Sequence, residues 1–331
     1  MASDYSASGV GGLPSVGLAR GADLGKDPQL AFSNGRAFCL SRDFDNVFEI
    51  DGDCGKPRSR FSVHELAPKD RTANPHDVAA AADGTLFVAL YNVGAIALAK
   101  DGKLVGSIDL SSYDADSNPQ AESIRIVGDK AFVALERLDD RDFPKSKQPS
   151  QMLRIDVATR AVEAVVELEG RNPFNPMAES DGMLFLAEPR SFDDAAEEAA
   201  GIERFDTRTS TTRLLVREKD LGGSVADVAV SGGCGAAIVA GPEKDVNPTK
   251  VVLFDATTGA VLGTVLGPTA GYDLQGLAWR GGTLYVGDRR RGAGGYPVHA
   301  FERDGDACIV HASARALAVP DLPPVALRAA R

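Results

Sequence analysis

A set of mostly polar residues recurs at one place in this 331-residue chain, immediately ahead of or opening a short apolar run: Pro28 and Gln29, His76 and Asp77, Glu122 and Ser123, Asn175, Asp227, and Gln275. An imidazole beside carboxylates is the material of a general base. A ring of carboxylates and amides can also hold a hard cation through oxygen, or hydrogen-bond a polar ligand. The set a metal-dependent hydrolase or lyase would use is His76, Asp77, Glu122 and Asp227. Two patterns count against that chemistry. Neighbours in a strand point to opposite faces, so His76 and Asp77 are not expected to form a dyad, and no D-x-D-x-D-G calcium loop is present. Of these, His76, Asp77, Glu122, Asn175, Asp227 and Gln275 are therefore read as ligand-binding, with no metal or cofactor assigned and calcium as the alternative. Polar groups at such a mouth also cap backbone donors and hold channel water. A second cluster, Asp288 with Arg289 and Arg290, followed by Arg291, could grip a carboxylate or phosphate bidentately.

No G-x-S-x-G elbow, H-E-x-x-H, G-x-x-x-x-G-K-[ST] or Rossmann fingerprint occurs, so nucleophilic serine, zinc and nucleotide chemistry have no motif to rest on. With one tryptophan, Trp279, and 6% aromatics, a sugar-stacking platform has little material beyond Tyr91, Tyr272, Tyr285 and Tyr296.

The elements that must position these residues are short strands. Asn74 to Leu110 is the clearest unit: apolar runs at Val78 to Ala81, Leu86 to Leu90, Ala95 to Leu98 and Leu104 to Leu110, divided by Asp-Gly and Asn-Val-Gly turns at hairpin spacing. Its second strand recurs as AFCLS at 37, LFVAL at 86, AFVAL at 131, LFLAE at 184, AAIVA at 236 and LYVGD at 284, at intervals of 49, 45, 53, 52 and 48 residues. Such a period marks a solenoid or propeller. Six units are visible directly. One further period points to about 332, just past the last residue, while the N-terminal SDYSASG matches the ALYNVGA turn region. The expectation is an all-β, seven-bladed β-propeller of four-stranded antiparallel blades spanning residues 1–331 as one domain, its two ends sharing a blade; six blades is the alternative.

The LFVAL, AFVAL and LYVGD strands, the NPHD and DLQG lead-ins and the DATTGAVLGTV turn resemble the bacterial YVTN-type β-propellers, relatives of the NHL propellers. The resemblance covers nearly the whole chain. It implies the propeller fold and leaves function open among exported binding proteins, lactonase-like enzymes and lyases, because fold does not dictate activity.

In a four-stranded blade the link into the inner strand and the link between the second and third strands share one rim. The long links, at 135–150, 188–201, 240–248 and 288–297, all fall there, which is where binding usually resides. In one of them Ser191, Asp194 and Gly201 read as cap and stop of a short helix. The expected function is a non-enzymatic binding propeller, presenting this rim to a protein or a small polar ligand, as a monomer. A net charge of -11 repels nucleic acid and anionic lipid, and no apolar run reaches membrane-spanning length. The start lacks a secretory signal, which permits a cytoplasmic protein or an exported one whose signal is trimmed from this sequence; the expected location is periplasmic, or cell-surface or secreted. Cys39, Cys54, Cys234 and Cys308 show no CxxC and allow three pairings, none preferred.

Overall fold

A computed structural model describes residues 1–12, 24–51, 56–139, 148–191, 198–241, 247–314 and 317–329. The helix expected in the loop after Glu188 falls largely on residues outside this description, as does Cys54. Six sheets follow one another along the chain, each an antiparallel meander of four strands, with a fifth short strand in the last. Their inner strands, Pro28–Ser33, Pro75–Ala80, Ala121–Val127, Phe174–Ser180, Ser224–Ser231 and Leu274–Arg280, neighbour one another in sequence order around a central channel. The hairpins are set by turn chemistry: Asn34-Gly35, Asp101-Gly102 and Asp181-Gly182 all have positive φ at both positions, the type I′ geometry that matches strand twist.

The second strands read as unbroken apolar runs because both faces are covered. In Leu86–Leu90 the alternation divides them: Leu86, Val88 and Leu90 pack with Phe38, Leu40 and Val47 of the first blade, while Phe87 and Ala89 pack with Ile124, Val133 and Leu153 of the third. The same division repeats around the ring, so the core is a series of interfaces between blades. Removing any one of Phe38, Phe87, Phe132, Phe205 or Phe254, all fully buried, would open a cavity between two sheets.

Among the described residues the expected seventh four-stranded blade does not form, and six, the alternative, is the number of blades. The two ends do meet: Ala2–Ser3 pairs with Ser8–Gly9, Ala2 bridges Pro324, and Ser3 N donates to Pro323 O at 2.8 Å. Met1, Val10 and Ala326 pack on Cys39 and Phe48 of the first blade, and Ala2, Leu322 and Leu327 pack on Ala278 and Val298 of the sixth. The terminal segments thus make a narrow wedge between those blades. It falls short of a blade because the described chain around the pairing supplies only two-residue strands. Gly276, with φ +80, lets the C-terminal segment approach closely: a Cβ there would lie 2.8 Å from Leu327 N.

Of the pairings left open by sequence, the structure makes Cys234–Cys308, joining the second strand of the fifth blade to the outer hairpin of the sixth. Cys39 is buried as a free thiol, and burial pushes its pKa up to about 12, so it stays protonated.

Candidate functional site

The register places the start of each inner strand opposite the end of its second strand, as in Pro28↔Ser41, Ala121↔Leu135 and Leu274↔Asp288. The lead-ins and the long links therefore share one rim. Five of the six inner strands also carry a register shift at this end, between Pro75/Asp77, Ala121/Ser123, Phe174/Ala178, Val225/Asp227 and Leu274/Leu277. A bulge re-aims the extra side chain. His76, Glu122, Asn175, Ala226 and Gln275 occupy those bulges.

On the side of the second and third blades the mouth is closed by a buried polar network. His76 Nδ1 bonds the Glu122 carboxylate, and Arg42 Nη1 lies 3.1 Å from His76 Nε2. A guanidinium can only donate, so Nε2 must hold a lone pair and the imidazole is neutral. The pKa direction agrees: burial, and then the Arg42 charge, push His76 down against the pull of Glu122. Burial works against charge on Glu122 too, but contacts with His76, Arg42 and the Asn175 amide hold its carboxyl below the usual range. Because His76 is neutral, Arg42 is the cation in that balance. Asn175, at φ 66, donates its backbone N–H to Glu122 Oε1 at 2.9 Å and its side-chain amide to Ala226 O at 2.8 Å.

The residues that follow the second strands complete this network. Tyr91 stacks on His76 with ring centroids 4.3 Å apart and donates to Glu136 Oε2 at 2.6 Å. Burial, reinforced by the charge of Glu122, raises Glu136 well above the usual carboxylate range and favours its protonated form. Arg42 closes the network outward on Asp27, bonding its carboxylate and, at 3.0 Å, its carbonyl.

Asp77 points away from all of this. It is fully buried, accepts the N–H groups of Val78 at 2.9 Å and Ile124 at 3.0 Å, and pairs with Arg125 at 2.6 Å. It clamps the second blade to the third, and with His76 it forms no dyad, as strand alternation predicts.

The opposite side of the mouth is open. A cavity of about 290 Å³ is lined by Asn175, Asp227, Gln275, Gln29, Arg42 and Arg328, with the wedge contributing Ser3 and Tyr5. It opens here because the fifth blade has Ala226 at the bulge where the second has His76. Asp227 is equivalent to Asp77: its Oδ1 accepts Val228 N–H at 3.0 Å. Its cation, Arg328, stays 3.8 Å away, and burial leaves the Asp227 pKa raised in spite of that charge.

The arginine cluster is already engaged. Arg290 forms a bidentate pair with Asp288, at 3.0 and 2.8 Å, and His299 Nε2 lies 2.9 Å from the same carboxylate. Arg289 donates to Gln275 Oε1 at 3.0 Å and lies over the Tyr5 ring, and Arg291 lies over Tyr296. The structure thus brings Gln29, Asn175, Asp227 and Gln275 to the cavity, holds His76 and Glu122 behind Arg42, and spends Asp77, Asp288 and Arg290 on internal pairs. Among the described residues no group of three or more His, Cys, Asp or Glu is arranged to hold a metal.

Arg42, Tyr91, Glu136 and Arg328 complete the site; the sequence pointed to Tyr91 only as a stacking ring and not to the other three. For the first three a signal existed: each directly follows the second-strand signature, after AFCLS, LFVAL and AFVAL. Arg328 had none, since the repeat does not say where the C-terminal segment docks.

No family model matches the chain, and no curated protein matches it. Solved structures do. Hydrazine synthase from Kuenenia stuttgartiensis superposes with a TM-score of 0.59 at 16% identity, over 83% of this chain and 76% of that one. BamB from Moraxella catarrhalis gives 0.52 at 13% identity over 96% and 91%. The Pan2 WD40 domain of Neurospora crassa gives 0.55 at 13% identity over 83% and 74%. At such identities the likeness establishes the fold alone.

Proposed function

We propose that this chain is a non-enzymatic binding propeller that takes a small polar ligand into the cavity at its channel mouth. One observation carries the reading: the groups with acid–base potential, His76 and Glu122, are locked behind Arg42, while the cavity beside them is lined by amides and charged groups. A fixed cavity with a few convergent polar groups is what small-molecule sites look like. The competing reading, a hydrolase or lyase using His76, Asp77, Glu122 and Asp227 around a metal, needs these groups to converge. Asp77 is turned into a blade interface and Asp227 faces a different part of the mouth. The Cys234–Cys308 disulfide supports an oxidising compartment such as the periplasm or cell surface.

A thermal-shift screen with small polar compounds tests the reading, since a ligand that binds only the folded state raises the midpoint. Ala226→Leu, which fills the cavity, should abolish the shift while leaving the free protein's midpoint near wild type. A metal that chelator removes with a fall in the midpoint, together with turnover lost on His76→Ala, would replace this reading with the enzymatic one.

A further inference from the structure

Asp227 and Arg328 face the same cavity, with side chains only 8% and 14% exposed, yet they do not close on each other: 3.8 Å is longer than a hydrogen bond. The other acid–guanidinium pair in the wall, Asp27 with Arg42, is closed and braced by His76. Among the described residues Arg328 makes one hydrogen bond, from Nη1 to the Leu327 carbonyl at 2.7 Å. A guanidinium carries five N–H donors, so most of its capacity is unspent. Asp227 is only partly satisfied: Oδ1 accepts Val228 N–H and the carboxylate also meets Leu277 N–H, while the cation stays 3.8 Å from Oδ2.

The wall is formally neutral, two aspartates against two arginines. A ligand with a single charge would satisfy one member of the open pair and leave the other desolvated, which is costly. A ligand carrying an ammonium and a carboxylate on neighbouring atoms satisfies both at once. Beside the pair lie Phe174, Ile238, Leu274 and Val325, an apolar wall for a side chain, and the volume of about 290 Å³ suits one small molecule. We propose that the ligand is a free α-amino acid with an apolar side chain, its ammonium on Asp227, its carboxylate on Arg328 and its side chain against Phe174, Ile238 and Leu274. This deepens the binding reading above and rests on it.

The probes are the common L-amino acids, each alone, together with their N-acetyl and carboxamide forms, measured by calorimetry and thermal midpoint. One or more free amino acids with aliphatic or aromatic side chains should bind. Blocking either end should weaken binding at least about tenfold, as should Asp227→Asn or Arg328→Gln in protein with wild-type circular dichroism. Blocked forms that bind as well as free ones, or the absence of binding by every amino acid, would overturn the inference. If neutral sugars bind instead and Ala226→Leu abolishes that, the amino-acid inference falls and the cavity-binding reading stands. If no compound binds, or if Ala226→Leu has no effect on what does, both fall.

Discussion

The two sides of the channel mouth are built from the same repeat position and reach opposite outcomes. Across the second and third blades, His76 and Glu122 fill the bulges, and Arg42, Tyr91 and Glu136 satisfy them until no ligand can reach them. Toward the fifth and sixth blades, Ala226 leaves the space empty and the pair behind it stays apart. A repeat fold can therefore use one set of positions as a structural plug and, a few blades on, as a cavity, changing only which side chain the bulge carries. The difference extends to how the ring is fastened. The plugged side is held by buried hydrogen bonds, and the open side by the Cys234–Cys308 crosslink and the terminal wedge.

That contrast breaks most visibly at Glu122. Glu122→Ala strands the His76 N–H and the Asn175 N–H in a buried site, and removing one member of such a network should cost about 3–5 kcal/mol. Chemical denaturation should show the loss as a lower midpoint at unchanged slope. A loss below about 1 kcal/mol would mean the plug is not structural. On the open side the corresponding experiment is reduction. The crosslink closes a span of 74 residues, for which chain entropy predicts about 4 kcal/mol. Cys234→Ser should lower the midpoint accordingly, whereas Cys39→Ser should act only through packing, because the Cys39 thiol is free. Equal sensitivity to reductant in wild type and Cys234→Ser would sink the fastening argument.

The legible and illegible parts of the fold divide along the same physical line. Strand runs such as LFVAL and turns such as Asn34-Gly35 report local pairing, so blade order, rim assignment and the lead-in residues could be read directly. Blade number could not, because it depends on how far pairing of the ends propagates. The arithmetic of the repeat brought the ends together but could not say that Ala2–Ser3 and Ser8–Gly9 stop after two residues each. Site membership was half legible for a related reason. Periodicity places a residue at the mouth, yet whether Arg289 or Arg42 faces a ligand depends on partners in other strands. Arg42 finds His76 across a blade interface and Arg289 finds Gln275 across its own hairpin, and neither contact has a local sequence signature.

Two buried acids, one in the plug and one in the next blade, make the fold sensitive to pH. Glu136 and, in the fourth blade, Glu188 both have raised pKa values, chiefly from burial, with Glu122 and Glu203 as the respective neighbouring charges. A carboxyl raised in the folded state binds a proton that the unfolded chain has released. Its contribution is therefore complete below the unfolded pKa and is lost as pH rises toward the folded value. His76, lowered by burial, acts oppositely, because its contribution is lost as pH falls through its unfolded value. Glu136→Gln should reduce the fall in midpoint between weakly acidic and weakly alkaline buffer, and Glu136→Gln with Glu188→Gln should reduce it further. An unchanged pH profile in the double variant would show that these carboxyls are ionised in the folded protein.

The finest comparison sets Asp77 against Asp227, the same residue of the repeat in the second and fifth blades. Asp77 holds two backbone N–H groups and the Arg125 guanidinium at 2.6 Å in a fully buried interface, so its charge is used three times. Asp77→Asn should cost about 2 kcal/mol, the scale of hydrogen bonds to a charged partner. Asp227 likewise meets two backbone N–H groups, Val228 and Leu277, but its guanidinium stands off at 3.8 Å and its raised pKa means burial already works against the charge. Asp227→Asn keeps an acceptor oxygen for a backbone N–H and relieves that burial cost, so its effect at neutral pH should be less than about 1 kcal/mol in either direction. Denaturation curves for the two variants decide the matter. If Asp227→Asn proves as damaging as Asp77→Asn, the open pair is a structural clamp like its counterpart, and the charge it holds is not kept for a ligand.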